Sequence, residues 1–289
     1  MAKYSIRGGL NPFISVSTYC IFIIISLLYF SKSKLLDNRN SKTAYILATS
    51  LLCIGILLLH IIINPYNLQV DRWSAIHNFL QNLFNGTYPY SAHTHLGGYG
   101  SPFPVWQAFH IPFYLLGNVG LGMLFSIFLL SIFLIWWLND YSKALIFITT
   151  LTISPAFWYE AAVRSDLIYN FILCFIAIGF IHKKKYSIQQ QSIGLGILCG
   201  LFLSTRFSIV LPFAIYLFPD FIRAGIKQKT LFACVAILTF IISFLPFVFW
   251  SNNTLFFFKD NPFVLQTRQG SLLEVLIISF LGIYLSTKW

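Results

Sequence analysis

A chain of 289 residues that is 57% hydrophobic and only 9% charged is too apolar for a soluble globule, because so few charges could not cover its exterior. Apolar runs of membrane-spanning length recur along all of it, so the composition specifies a polytopic α-helical membrane protein. The net charge of +11 then reports orientation and contact with anionic lipid, not nucleic acid.

The chain opens with a basic start and an apolar run, "MAKYSIRGGLNPFISVSTYCIFIIISLLYFSKSK". The short apolar core and small-residue cleavage site of a signal peptide are not evident, so this reads as a retained helix. Spans are predicted at 13–31, 44–64, 118–138, 144–158, 167–181, 193–204, 206–218, 231–250 and 272–287. The expected fold is therefore all-α: a transmembrane bundle of about eight to nine spans forming one integral membrane domain, 1–289. Several spans are shorter than the usual ~20 residues, which predicts broken or half-helices. The stretch 103–117 is too short and too rich in proline to span. The five cysteines (Cys20, Cys53, Cys174, Cys199, Cys234) sit inside apolar runs and show neither metal-ligand spacing nor a disulfide framework. The chain stops at "LSTKW", near the end of a span, and so reads as minimal or truncated.

Basic residues set the orientation. Lys32, Lys34, Arg39 and Lys42, then Lys143, then Lys183 to Lys185, then Arg223, Lys227 and Lys229 fall on one side if 193–218 is two short helices. The positive-inside rule makes that side cytoplasmic and places the N-terminus outside. The opposite side holds the connections 65–117, about 158–167, and 251–271. Their charges are sparse but mixed: Asp71, Arg72, Glu160, Arg164, Asp166, Lys259, Asp260 and Arg268, with Arg206 pointing the same way.

The largest of these connections is 65–117. Its opening, "VDRWSAIHNFLQNLFNGTYPY", has Trp73, Ile76, Leu80, Leu83 and Phe84 at helical spacing, which predicts a helix over 71–85 with Gly86 after it. Such a helix would lie on the membrane surface with its apolar stripe toward lipid, either as a device that joins two spans or as one wall of a site. The rest of the loop is rich in Gly, Pro, Tyr and His. It is too aromatic for a disordered tail and suits flat contact with a sugar ring or lipid headgroup, with Tyr88 and Tyr90 leading into it. His93 and His95, two apart, would share a face on a strand, for hydrogen bonding or for a metal, although no third ligand stands at diagnostic spacing.

At this point the order of motifs resembles the GT-C superfamily of membrane glycosyltransferases that use polyprenyl-phosphate-linked sugars. A span is followed by the acid of "VDRW", then by "NGTYPY", similar to a G-x-x-P-Y pattern, then by the Pro-rich "GSPFPVWQAFHIPFYLLGNVG". "SPAFWYEAAVRSDLIYNFIL" resembles the second outer motif, and "LGILCGLFLSTRFSIVLPFAIYLF" a pair of short helices flanking a basic residue. The match covers roughly 44–250 and departs in having no Asp-x-Asp in the first loop. The resemblance implies inverting transfer from a polyprenyl-phosphate sugar to a glycan or lipid-linked acceptor on the outer face; the membrane expected is a prokaryotic inner membrane.

In that chemistry Asp71 would be the general base, a carboxylate at the membrane boundary; its structural alternative is to cap the helix it begins. Arg164, Arg206, Lys259 and Arg268 would meet the departing lipid phosphate, or else snorkel to headgroups as interfacial cations do. Arg206 stands in the middle of an apolar stretch, where charge is costly, which favours a functional role. Asp166 would bind acceptor hydroxyls, pair with Arg164 or complement its own helix, and Arg72, Tyr88, Tyr90, His93 and His95 would contact substrate. No cofactor is specified beyond a divalent metal, for which Asp71 and Asp166 are the available carboxylates. Two other readings share these features: a transporter or flippase of lipid-linked sugars, and a non-catalytic subunit of a membrane complex. The gathering of charge at one face favours the enzyme over alternating access.

Overall fold

The computed structural model describes residues 9, 11–32, 40–250, 261–267 and 272–288. Among these residues the chain is helical, with one isolated bridge, His93 to Tyr99, and no named strand. Among the described residues four helices are long and apolar enough to cross a membrane: α2 (Ser41–Ile62), α6 (Leu121–Leu138), α9 (Asp166–Lys184) and α12 (Ile226–Val248). A fifth crossing is made if α7 (Tyr141–Ile153) and α8 (Pro155–Ala162), bent by 66° at Ser154, count together. Among the described residues four or five crossings thus meet the length and composition of a span, and the predicted count of eight to nine is not confirmed. Some of the remaining apolar runs are helical but short, such as α10 (Ile188–Leu203) and α11 (Val210–Arg223), which are separated at 204–209. The bundle is flanked by α1 (Pro12–Lys32) and, after the short α13 (Pro262–Thr267), by α14 (Leu272–Lys288). Long apolar helices of this kind suit a membrane-embedded protein, because in hydrocarbon every backbone group must be satisfied within its own segment.

Local signals place the breaks. Asp140 accepts from the Ser142 and Lys143 backbone N–H groups and starts α7, while Asn139 in the left-handed region ends α6. Ser154 accepts from Phe157 N–H, and Pro155 occupies the first helical position of α8. Two apolar cores result. One joins α2, α6, α7 and α9 around Leu52, Ile56, Ile127 and Ile148; the other joins α10 to α12 and the far end of α9 around Leu195, Cys199, Phe213 and Leu217. Helices α10 and α12 touch backbone to backbone, since a Cβ on Gly200 would lie 2.6 Å from the Ala236 carbonyl oxygen. Outward, Leu47, Leu51 and Leu58 on α2 and Ile237, Ile241 and Leu245 on α12 are exposed, as lipid-facing side chains should be. All five cysteines are free thiols.

The two ends of the bundle differ. One end carries Lys143, Lys183 to Lys185, Arg223, Lys227 and Lys229 at helix termini, and Tyr45 of α2 packs on Tyr141 there. The other end carries the connection 65–117 with α3 (Arg72–Phe84), α4 (Pro104–Phe109) and α5 (Ile111–Leu115), together with α8 and the break between α10 and α11. We call these the basic end and the loop end. Tyr19 shares a hydrogen bond of 2.9 Å with Ser154, so α1 begins toward the loop end.

The helix predicted over 71–85 is observed at Arg72–Phe84, but its apolar stripe does not face lipid. Of that stripe Trp73, Ile76 and Leu80 are buried in the larger core, with Phe79, packed with Tyr90, Trp106 and their neighbours; Leu83 is partly buried, and Phe84, at the last turn, is exposed. The same spacing serves a membrane surface or a protein core, and here the protein covers it.

Candidate functional site

Asp71 sits at the N-cap position of α3 and yet does not cap it: its side chain makes no cap hydrogen bond. Its carboxylate instead turns to the loop, where Oδ2 accepts from the Thr94 hydroxyl at 2.9 Å. Thr94 is held by a tight turn. Its N–H donates to the Gly98 carbonyl at 2.7 Å, Gly98 N–H donates to Thr94 Oγ1 at 3.1 Å, and Gly97 takes a φ of +82° that suits glycine. Ser74, one turn into α3, shares a 2.7 Å hydrogen bond with His95 Nδ1 and so pins the same turn to the helix. Asp71 is left half-buried, with one oxygen oriented by the loop.

From Asp71 the loop leads straight to Arg206. Gly98 lies beside the carboxylate, Gly100 packs on the Ala75 backbone, and Ser101 Oγ accepts from Arg206 Nη1 at 3.2 Å. Three residues of chain reach at most about 11 Å between Cα atoms, so the two functional groups border one short stretch of loop. Beyond it, Phe103 and Val105 donate backbone hydrogen bonds to the carbonyls of Thr205 and Ser204, which seats the loop on the break between α10 and α11. Gln266 closes the arrangement by donating to the Ser101 carbonyl at 2.5 Å and accepting from Phe207 N–H at 2.8 Å.

Arg206 pairs with Asp166. Nε and Nη2 both donate to Asp166 Oδ2, at 3.0 and 2.6 Å, and Trp106 Nε1 donates to the same oxygen at 2.8 Å. Asp166 is fully buried; the Arg206 side chain keeps 13% of its surface. The pairing of Asp166 with Arg164 weighed from the sequence does not form. Arg164 lies at a φ of +49° and donates to the carbonyls of His60 and Ile63 at 2.5 and 3.0 Å, the last acceptors of α2, while its guanidinium stands 5.6 Å from the Trp73 ring centroid. It is a buried C-terminal cap, not a cation facing water. Arg72 forms a second, more open ion pair, with Glu160 at 3.1 Å, and also donates to Ser165 Oγ.

Other predicted contacts are rearranged. His93 and His95 do not share a face: His93 is exposed and lies over Tyr99 at 4.4 Å, whereas both ring nitrogens of His95 are engaged, by Ser74 and by the Leu68 carbonyl. Tyr90 is buried against Phe79 and Phe247 and donates to the Pro102 carbonyl, and burial pushes its phenol well above the ordinary value. Tyr88 stays half-buried beside it. Lys259 and Arg268 lie outside the described residues. Asp166 Oδ2 is occupied by Arg206 and Trp106, while its Oδ1 has no hydrogen-bond partner; among the described residues no group of three or more His, Cys, Asp or Glu comes together to hold a metal. Burial holds the neutral His110 imidazole down at about 4; the ring bridges the Trp106 carbonyl and the Tyr169 hydroxyl beneath the ion pair.

Thr94, Ser101, Trp106 and Gln266 were not singled out by motif or spacing. The Gly-rich turn after "HTH" was the one local sign that this segment is held close to something. No protein family, curated protein or solved structure matches the chain.

Proposed function

We propose that this chain is a membrane-embedded glycosyltransferase of the GT-C kind. It moves a sugar from a polyprenyl-phosphate donor to a hydroxyl of a glycan or lipid-linked acceptor, with inversion, at the loop end of the bundle. The setting of Asp71 carries the reading: a carboxylate at a helix N-terminus that is turned away from capping and aimed by Thr94 into the loop that ends on Arg206. Asp71 takes the acceptor proton as the acceptor oxygen bonds to the anomeric carbon, and the electron pair of the breaking bond leaves on the lipid phosphate. Arg206, held in place by Asp166 and Ser101, meets that developing charge. A cavity of about 250 Å³ between α10, α11 and α12 runs from Leu203 and Ile209, on either side of Arg206, to Phe221 and Phe232. Its apolar lining suits the hydrocarbon of the donor. Arg72, Tyr88 and His93 are the remaining contacts with substrate. By the positive-inside rule the basic end is cytoplasmic and the loop end faces out of a prokaryotic inner membrane.

The test is sugar transfer in membranes with labelled polyprenyl-phosphate sugars. Asp71→Asn should lower transfer about 10²–10⁴-fold at normal expression. Transfer that survives Asp71→Asn removes the base. Translocation of the sugar lipid without transfer, unchanged in Asp71→Asn, makes the protein a flippase instead.

A further inference from the structure

Helices α9 and α10 are neighbours in sequence, joined by a short connection, yet they do not close on one another. A cavity of about 500 Å³ lies between them, lined by Leu173, Ala177 and Phe180 of α9 and by Gly194, Leu198 and Phe202 of α10. Tyr186 and Gln191 stand at its basic end. The regular winding of α10 fails at Gln191, with φ −129° and ψ 39°, so the first turn of that helix is set apart from the rest. Gly194 keeps the wall open: a Cβ there would meet just Gln191 Oε1, at 3.7 Å. Water gains too few polar partners in such a groove, so within a bilayer it takes hydrocarbon.

The charges at its mouth say which hydrocarbon. Lys183 is consumed, because its ammonium donates to the Trp136 and Trp137 carbonyls at the end of α6 and stands 4.8 Å from the Trp136 ring centroid. Lys184 and Lys185 are exposed, Lys184 with its ammonium 5.9 Å from the Trp136 ring centroid but with no hydrogen bond to a carbonyl, Lys185 in the left-handed turn that ends α9, and the connection to α10 contains no acid. The neighbouring carboxylate, Asp220, is already bound through Oδ2 by Ile188 N–H at 2.5 Å. An apolar slot with two ammonium groups and the exposed Tyr186 at its head complements an acyl chain with an anionic headgroup.

We infer that the α9–α10 groove binds one anionic phospholipid from the leaflet at the basic end, its acyl chain along Leu173 to Phe202 and its phosphate on Lys184 and Lys185. The phosphate end of this site lies opposite the proposed transfer chemistry, and the inference does not depend on that chemistry.

The test titrates the purified full chain, in detergent, with phosphatidylglycerol and with phosphatidylcholine of the same acyl chains, counting bound lipid by native mass spectrometry. At about five-fold per lysine, phosphatidylglycerol should bind roughly 25-fold more tightly. The double variant K184Q/K185Q should abolish the preference, whereas K227Q/K229Q, with the same loss of charge elsewhere at this end, should keep it. Gly194→Leu, which fills the groove, should weaken both lipids and leave the preference intact. Equal binding of the two lipids by the unaltered chain overturns the proposal. So does equal loss in the two lysine variants, which would mean diffuse surface charge, and so does unchanged binding in Gly194→Leu.

Discussion

The two ends of the bundle use charge in opposite ways. At the basic end most lysines and arginines stand exposed at helix termini, Lys183 with its carbonyl acceptors on α6 being an exception, and among the described residues the ion pair there, Lys143 with Asp140 at 3.7 Å, is only partly buried. At the loop end, charges are sunk into packing. Asp166 is fully buried against Arg206, Arg164 is buried on the carbonyls of α2, and Arg72 with Glu160 is half-exposed. Lys183 apart, which ties α9 to α6, a cation at the basic end is little engaged with the fold, and a cation at the loop end holds elements together. Counting basic residues treats the two alike; burial separates them, because removing a charge from water is costly unless a partner or a carbonyl replaces the lost hydration.

The sharpest way to break this comparison is at Asp166. Asp166→Ala leaves the mostly buried Arg206 without its carboxylate and should cost about 3 kcal/mol, the low end for a buried pair because Arg206 keeps some contact with solvent. Apolar replacement of both residues should recover most of that loss, short by about 1 kcal/mol for the Trp106 N–H left without an acceptor. Urea unfolding in mild detergent reads both values, and an Asp166→Ala chain as stable as the parent would mean the pair is not buried.

Next comes pH. His110 is fully buried and held neutral, at about 4 against its ordinary 6.5. Between those values the unfolded chain takes up a proton that the folded one refuses. Stability is therefore full above about pH 6.5 and falls by about 3 kcal/mol as the pH drops toward 4. Unfolding midpoints at pH 7 and 4.5 should show this fall, and the slope should be shallower in His110→Gln. Equal slopes in the two proteins would assign the acid sensitivity to other groups.

Arg164→Ala should cost about 1–3 kcal/mol, since it strands the His60 and Ile63 carbonyls in the protein interior. Arg164→Lys should recover only part of this, because one ammonium replaces a planar fork. Neither change should act through substrate: if transfer fell while the melting temperature held, Arg164 would be a ligand after all.

The smallest effects belong to the basic end. Lys143→Gln should change stability by less than about 0.5 kcal/mol, as its ion pair is exposed. Asp140→Ala should cost about 1 kcal/mol, because Asp140 also caps α7 through the Ser142 and Lys143 N–H groups. A larger cost for Lys143→Gln than for Asp140→Ala would reverse the comparison.

Much of the fold was legible. The helix predicted over 71–85 lies at Arg72–Phe84, and the break around Arg206 lies at 204–209, because helical period and interruptions in an apolar run are local properties. The candidate site was legible only as a set of residues. Asp71 was marked out by its place after a span, but whether it would cap α3 or turn to the loop depended on Thr94, 23 residues away. Arg164, between Glu160 and Asp166, and Arg206, in an apolar stretch, carry no local sign of their partners, which lie 101 to 104 and 40 residues away.

By itself, then, the sequence determined the helical architecture, the membrane-suited composition and the concentration of basic residues in particular connections, all of which follow from composition and short-range period. Only the tertiary structure decided that the α3 stripe packs on protein, that Asp166 answers Arg206, and that Asp71 is held by Thr94. Those are choices among partners distant in the chain, and an amphipathic stripe, a carboxylate or a guanidinium carries no local mark of which partner it will meet.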